Sequence, residues 1–152
     1  MKIPLRVIPY YKNGDFFGYA VDGTPADCVK MGIRNIMKEP PDLVISGINN
    51  GSNTAINIIY SGTVSAAREA AIMEVPAAAI SVTNHTPKNF NSAAKLARML
   101  ALKMIDHKIP LGTMLNVNVP DVSEKDIAGI IFAQSCKNQI YKLHPINYDI
   151  VK

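Results

Sequence analysis

The sequence predicts one α/β domain built on a doubly wound, mostly parallel sheet. Short runs of Val, Ile and Leu alternate with longer segments of helical periodicity, and this alternation is typical of the fold class. The run at residues 43–46 shows no polar alternation, which indicates a strand buried on both faces, as in a parallel sheet, and the run at residues 76–82 is again apolar apart from Ser81. At 152 residues the chain is long enough for a single core.

Each element follows from a local signal. The dipeptide Asn13-Gly14 lies between two strand runs and favours a two-residue hairpin turn. Thr24 is a good helix cap and Pro25 suits the first helical position, so a helix is expected to start there. The expected strands lie at residues 5–8, 17–21, 43–46, 76–82, 114–119 and 127–133, and the later helices at 64–73 and 91–105.

Composition excludes several classes of protein. Hydrophobic residues make up 48% of the chain and charged residues 18%, so an acidic disordered chain is excluded. No apolar run reaches the roughly 18–20 residues of a membrane span, and no signal peptide opens the chain. Two cysteines provide no disulfide framework, which indicates a cytoplasmic protein. The net charge of +4 is scattered along the chain, so we expect no nucleic-acid partner.

The richest polar segment follows the strand run at residues 43–46. It extends from Gly47 to Ser61 and includes the side-chain amides of Asn49 and Asn53. Ligands of an open α/β sheet bind beyond the carboxyl ends of its strands, which is where this segment begins. Amide oxygens are hard ligands suited to Mg²⁺, Mn²⁺ or Ca²⁺, so the segment is a candidate cation site.

A second candidate lies at Ser61, Gly62 and Thr63, just before the next helix. The free N–H groups and the dipole of a helix start attract anions, glycine permits close approach, and the hydroxyls add donors. The competing interpretation is that Ser61 or Thr63 only caps the helix, while Asn49 and Asn53 are turn residues. On side-chain chemistry alone both interpretations stay open, with simple capping favoured.

Other catalytic signatures are missing from the sequence. It contains no G-x-S-x-G elbow, no G-x-x-x-x-G-K-[ST] loop and no G-x-G-x-x-G fingerprint. The three histidines, His85, His107 and His144, are too widely separated to form a metal-ligand pattern.

Four segments occur in a fixed order along the chain. They are residues 19–29 (YAVDGTPADCV), 42–53 (DLVISGINNGSN), 60–67 (YSGTVSAA) and, less diagnostic, 114–120 (MLNVNVP). In order and spacing these segments resemble the SurE family of survival proteins and 5′-nucleotidases, from about residue 4 to residue 134. The resemblance implies a three-layer α/β/α Rossmann-like fold and a metal-dependent phosphomonoesterase that hydrolyses nucleoside 5′-monophosphates.

The resemblance also implies roles for individual residues. Asn49 corresponds to a ligand of a divalent metal ion, Mg²⁺ or Mn²⁺, and Asn53 to a second, catalytic asparagine. Ser61, Gly62 and Thr63 correspond to the segment around the phosphate, with Ser61 and Thr63 as catalytic residues. A nucleoside monophosphate substrate and a homo-oligomer, either a dimer or a tetramer, are implied as partners, with no membrane partner.

One departure from the family pattern concerns the metal. The family's aspartate pair has no counterpart, since the chain contains no Asp-Asp. On the resemblance we expect an incomplete fold that lacks an opening strand and helix of at least ~30 residues. Residues 1–136 are then the central part of the domain and residues 137–152 the start of a C-terminal arm. The alternatives are a non-catalytic fragment and a nucleotide-binding or oligomerisation module.

Overall fold

The computed structural model describes residues 4–88 and 90–133, and it confirms the α/β fold with a parallel sheet. The strands are β1 (Val7–Lys12), β2 (Asp15–Val21), β3 (Val44–Asn50), β4 (Ala77–Val82) and β5 (Met114–Val119). The α-helices are α1 (Pro25–Met31), α2 (Asn57–Tyr60), α3 (Gly62–Ile72) and α4 (Asn91–His107). A π-helical turn (Gly32–Ile36) continues α1, and a 3-10 turn (Glu124–Asp126) follows β5.

The central sheet contains three parallel strands in the order β3-β4-β5. Every residue of β4 is buried, because this strand has a neighbour on each side and helices on both faces. Three consecutive alanines, Ala77 to Ala79, begin the strand, and their small side chains leave room for helices to pack closely.

Alternating side chains of the sheet divide the core into two halves. On one face Ala77, Ala79 and Met114 pack with Val64 and other residues of α3, and with apolar residues of the α1 region. On the other face Ala78, Ile80, Val82 and Val119 pack against α4. This placement of helices on both faces confirms the three-layer α/β/α arrangement.

The hairpin prediction is confirmed. Strands β1 and β2 pair antiparallel around Asn13 and Gly14, which both have positive φ (52° and 90°), as a primed hairpin turn requires. The aromatic side chains of the hairpin are exposed and contact one another edge to face, as in the Tyr11–Phe16 and Phe16–Tyr19 pairs. Within the described residues this two-stranded sheet is separate from the parallel sheet.

The predicted start of the first helix is also confirmed. The Thr24 hydroxyl accepts a hydrogen bond from the Asp27 N–H (3.2 Å), and the Asp27 carboxylate accepts from the Thr24 N–H (2.9 Å). This capping box satisfies two N–H groups that no helical carbonyl reaches.

Two of the predictions concern the chain after β5. The predicted strand at residues 127–133 is wrong: those residues form no strand, although Ile127 packs against the core beside α4. A run of apolar residues indicates burial of side chains but does not by itself provide a neighbouring strand. The expected arm at residues 137–152 lies outside the described residues. Among the described residues, no helix combines the length and apolar character needed to cross a bilayer.

Candidate functional site

The polar residues singled out in the sequence lie at the carboxyl edge of the parallel sheet. Strand β3 continues to Asn50, so Asn49 is a strand residue paired with Ser81 of β4 rather than a turn residue. The loop after β3 leads through Asn53 and α2 to Ser61, the cap of α3. The end of β3 and the start of α3 therefore frame one loop at the edge where ligands of open α/β sheets bind.

Asn49 is half-buried and its side chain has a defined orientation. Its Nδ2 donates hydrogen bonds to the carbonyl of Gly51 (2.9 Å) and, more weakly, to that of Asn50 (3.2 Å). Since these contacts use the N–H groups of the amide, the Oδ1 atom is the one left to bind a cation or a hydrogen-bond donor.

Gly51 is held against the end of β4. Its N–H donates to the carbonyls of both Val82 and Asn84, each at 2.9 Å. Its φ of +95° suits glycine, and a Cβ here would lie 2.7 Å from the ring of His85. The exposed His85 imidazole thus rests on the candidate site, a contact that the spacing of the histidines along the sequence could not indicate.

Asn53 is buried, with 4% of its surface exposed. Its Nδ2 donates to the hydroxyl of Ser81 (2.6 Å), which is itself fully buried in β4. Its backbone N–H donates to Asn118 Oδ1 (2.8 Å), and its carbonyl accepts from Asn116 Nδ2 (2.8 Å) and Asn118 Nδ2 (3.2 Å). Both backbone groups and the side-chain amide are therefore fixed by β4 and β5.

Sequence reasoning missed Ser81, Asn116 and Asn118 as parts of this network. The available signal was the Asn-Val-Asn alternation in β5, which places two amides on one face of the strand. Asn116 Oδ1 is buried and has no donor among the residues that the structure describes. A buried acceptor left without a donor costs about 1–3 kcal/mol, so this oxygen gains no stabilising hydrogen bond from the described residues.

Ser61 caps α3 as the simple interpretation expects. Its Oγ accepts a hydrogen bond from the Val64 N–H (3.1 Å) and its carbonyl accepts from the Ser65 N–H (2.9 Å). The N–H groups of Gly62 and Thr63 have no acceptor within the helix, as at the start of any α-helix. The first turn of α3 therefore presents two donors and the half-buried Thr63 side chain.

Gly62 also has a packing role. A Cβ at this position would lie 3.0 Å from Pro25 Cγ at the start of α1. The close approach of the two helix starts therefore favours glycine here, in addition to any approach of an anion.

One carboxyl beside these helix starts has a shifted pKa. Hydrogen bonds from the Thr24 hydroxyl and then from the Thr24 N–H lower the pKa of Asp27 below its usual value, and Lys30 adds to this. The Asp27 carboxylate is therefore ionised throughout the neutral range.

The described residues provide an incomplete set of metal donors. They contain no group of three or more His, Cys, Asp or Glu side chains arranged to hold an ion. Asn49 Oδ1 fits one position of a hard-cation site, but a single neutral amide does not supply the carboxylate charge that Mg²⁺ or Mn²⁺ sites use. The described residues thus fit a divalent metal ion only in part.

Two cavities in the described residues are not lined by this loop. One of about 370 Å³ is lined by residues at the start of α4 and after β5, including Lys88, Lys95 and Asp121. Another of about 400 Å³ lies beside the end of α3, near Arg68 and Leu111. The candidate site is therefore defined by the polar groups of the loop at the carboxyl edge of the sheet.

This chain is similar to proteins of a known family. A family model described as "Survival protein SurE" matches residues 1–142. The curated protein "5'-nucleotidase SurE" of Chlorobaculum tepidum is 49% identical over 136 residues, which cover 90% of this chain and 52% of that protein. Its namesake from Syntrophobacter fumaroxidans is 46% identical over 127 residues, covering 84% of this chain and 51% of that protein.

A solved structure shows the same fold. The crystal structure of the SurE protein from Aquifex aeolicus superposes with a TM-score of 0.76 at 40% identity, over 86% of this chain and 52% of that one. The chain spans about half the length of the curated relatives it matches. Because the family model matches almost the whole chain and the fold agrees with a solved SurE protein, the chain belongs to the SurE family.

Proposed function

We propose that this chain carries the phosphate-binding part of a site that hydrolyses nucleoside 5′-monophosphates. The observation that carries the proposal is the placement of Asn49 and Ser61 at the two ends of one loop, at the carboxyl edge of a parallel sheet. The names of the curated relatives, 5′-nucleotidase SurE, support the same reaction.

The start of α3 is the proposed phosphate site. The N–H groups of Gly62 and Thr63, the Thr63 hydroxyl and the helix dipole are suited to bind the phosphate oxygens. Ser61 can cap the helix and bind phosphate at the same time, because its Oγ accepts from the Val64 N–H while its hydroxyl hydrogen is left to donate to a phosphate oxygen. Donors fixed in this way stabilise the charge that develops on the phosphoryl oxygens during transfer.

Asn49 is the proposed metal ligand, and Asn53 is proposed as a catalytic asparagine whose contacts with β4 and β5 also anchor the loop. A divalent ion, Mg²⁺ or Mn²⁺, supplies Lewis-acid polarisation of a phosphoryl oxygen when bound. The two hydrogen bonds that Asn49 Nδ2 donates fix the orientation of the amide, so Oδ1 can coordinate such an ion without rearrangement. The described residues by themselves supply one ligand to it.

The wider setting is proposed on the same basis. The substrate is a nucleoside monophosphate, the assembly is a homo-oligomer (a dimer or a tetramer), and the location is the cytoplasm. The curated nucleotidase relatives support the substrate class. Analytical ultracentrifugation of the chain measures the assembly directly.

The decisive experiment measures binding and turnover separately. The chain is titrated with a nucleoside 5′-monophosphate while the amide signals of Gly62 and Thr63 are followed by NMR. Inorganic phosphate release is assayed in parallel with Mn²⁺, with Mg²⁺ and with a chelator. Binding at these amides is required by the proposal. Because the described residues supply one metal ligand, binding with little phosphate release is the expected result, and robust chelator-sensitive release by this chain alone would contradict an incomplete metal site.

A matched pair of variants makes this test specific. Thr63→Val removes one hydroxyl at nearly constant volume, and Thr54→Val makes the same change at an exposed loop position outside the proposed phosphate site. A hydrogen bond to a charged group contributes about 1.5–3 kcal/mol, so Thr63→Val should weaken monophosphate binding at least roughly tenfold. Equal affinity in the two variants would contradict the role given to Thr63.

A further inference from the structure

The Asn-Val-Asn segment of β5 has a role that the proposed function leaves open. Asn116 and Asn118 are two residues apart in one strand, so their side chains lie on the same face of the sheet. Their register partners in β4 are Ala79 and Ser81. Asn53 lies over this polar end of the face.

Asn53 is fixed at three of its groups by that face. Asn118 Oδ1 accepts the Asn53 N–H (2.8 Å), and the two β5 amides donate to the Asn53 carbonyl (2.8 and 3.2 Å). Ser81 Oγ accepts from Asn53 Nδ2 (2.6 Å). A loop residue held by both backbone groups and its side chain has little freedom to shift relative to the sheet.

The constraint on Asn53 extends to Asn49 along a short path. Three residues separate them, and the middle one, Gly51, is fixed by its N–H to the carbonyls of Val82 and Asn84. Asn49 in turn donates from Nδ2 to the Gly51 carbonyl (2.9 Å). The orientation of the Asn49 amide therefore depends on the path of the backbone between Gly51 and Asn53.

Asn116 argues against a purely stabilising role for this network. Its Oδ1 is buried and unpaired among the described residues, whereas its Nδ2 makes one short bond to the Asn53 carbonyl. An apolar side chain would avoid the unpaired oxygen. What the amide provides in return is a fixed position for Asn53.

We propose that Asn116 and Asn118 are positioning residues that set the geometry of Asn49 through the backbone of Asn53. This inference rests on the proposed function, in which Asn49 Oδ1 is a ligand of the divalent ion. Loss of the Asn118 contacts frees the Asn53 N–H and lets the loop shift, so Asn49 loses its orientation. The groups at Gly62 and Thr63 that donate hydrogen bonds to phosphate belong to α3, so they keep their orientation.

The test compares three variants of the chain. Asn118→Leu removes both hydrogen-bonding groups at similar volume. Asn118→Ala removes both groups without adding volume or charge, so it provides a second variant if the first does not fold. Asn35→Ala removes an exposed amide in the π-helical turn, far in sequence from β5, and is the matched control.

Three NMR readouts are collected on each variant. They are the exchange rate of the Asn53 amide, the chemical shift of the Asn49 side-chain NH₂, and the broadening of that signal by Mn²⁺. We expect Asn118→Leu to speed Asn53 exchange roughly tenfold, equivalent to about 1.4 kcal/mol. The Asn49 signal should shift and its Mn²⁺ broadening should fall, while the response of Gly62 and Thr63 to inorganic phosphate stays as in the control.

Each outcome decides the inference. Asn53 exchange no faster than in Asn35→Ala overturns it, because the Asn118 side chain then does not hold Asn53 in place. Faster exchange with an unchanged Asn49 shift and unchanged Mn²⁺ broadening also overturns it, because the network is then only structural. If the unsubstituted chain shows no Mn²⁺ response at Asn49, the metal part of the proposed function fails. The positioning of Asn49 is then judged by its side-chain shift alone, which needs no ion.

Discussion

Ser61 offers the sharpest test of whether the start of α3 is a cap, a phosphate site or both. Its Oγ accepts the Val64 N–H at 3.1 Å, so Ser61→Ala removes the cap. Loss of a serine cap costs about 1 kcal/mol, within a range of about 0.5–2 kcal/mol. For a chain of this size that is a fall in melting temperature of roughly 4 °C.

Ser61→Asp separates stability from binding. The carboxylate still accepts from the first turn, and its negative charge at the helix start adds about 0.3–1 kcal/mol of stability. A phosphate bound at Gly62 and Thr63 would lie close to this negative charge and be repelled by it. Two like charges 4 Å apart repel by about 1 kcal/mol even in bulk water, which is about fivefold in affinity for each unit charge on the phosphate.

The assay measures both quantities on the same samples. Thermal unfolding gives the stability, and NMR titration of the Gly62 and Thr63 amides with inorganic phosphate gives the affinity. We expect Ser61→Asp to be at least as stable as the unsubstituted chain and to bind phosphate at least fivefold more weakly. Unchanged phosphate affinity in Ser61→Asp would refute the phosphate site and leave Ser61 as a cap alone.

Three further predictions concern the surrounding fold. The folded-state pKa of Asp27 is lowered, so its contribution to stability is present above its unfolded pKa and is lost as pH falls through the folded value. In urea titrations the stability gap between the unsubstituted chain and Asp27→Asn should therefore narrow below about pH 4, and a gap independent of pH would contradict the capping box. Ile80→Ala in fully buried β4 should lower the free energy of unfolding by about 2–5 kcal/mol, and a cost below 1 kcal/mol would show that this core position is loosely packed. Gly51→Ala should lower the free energy of unfolding by about 1–2 kcal/mol because of the positive φ, in addition to the effect of the Cβ contact with the His85 ring. Adding His85→Ala should restore only the part of the stability lost through the ring contact. Full restoration would show that the backbone tolerates alanine at this position.

Local signals were sufficient for much of the fold. The turn at Asn13-Gly14 and the helix start at Thr24-Pro25 were predicted because each depends on the φ preference or hydrogen-bonding reach of adjacent residues. The apolar run at residues 43–46 predicted burial on both faces, and this is wrong: β3 is an edge strand of the described sheet and Ile45 is exposed. Full burial occurs instead in β4, which has a strand on each side. The same reasoning failed at residues 127–133, since a strand needs a neighbour and apolar residues alone do not provide one.

The sequence by itself determined the family and most of the order of strands and helices, although not α2 or the end of the described chain. It also singled out Asn49, Asn53 and residues 61–63, but not Ser81, Asn116 or Asn118. Only the tertiary structure decided how those residues meet. Asn53 is 28 residues from Ser81 and 65 from Asn118, and no local pattern links them. They converge because parallel pairing aligns the carboxyl ends of β3, β4 and β5, which brings distant polar groups to one edge of the sheet.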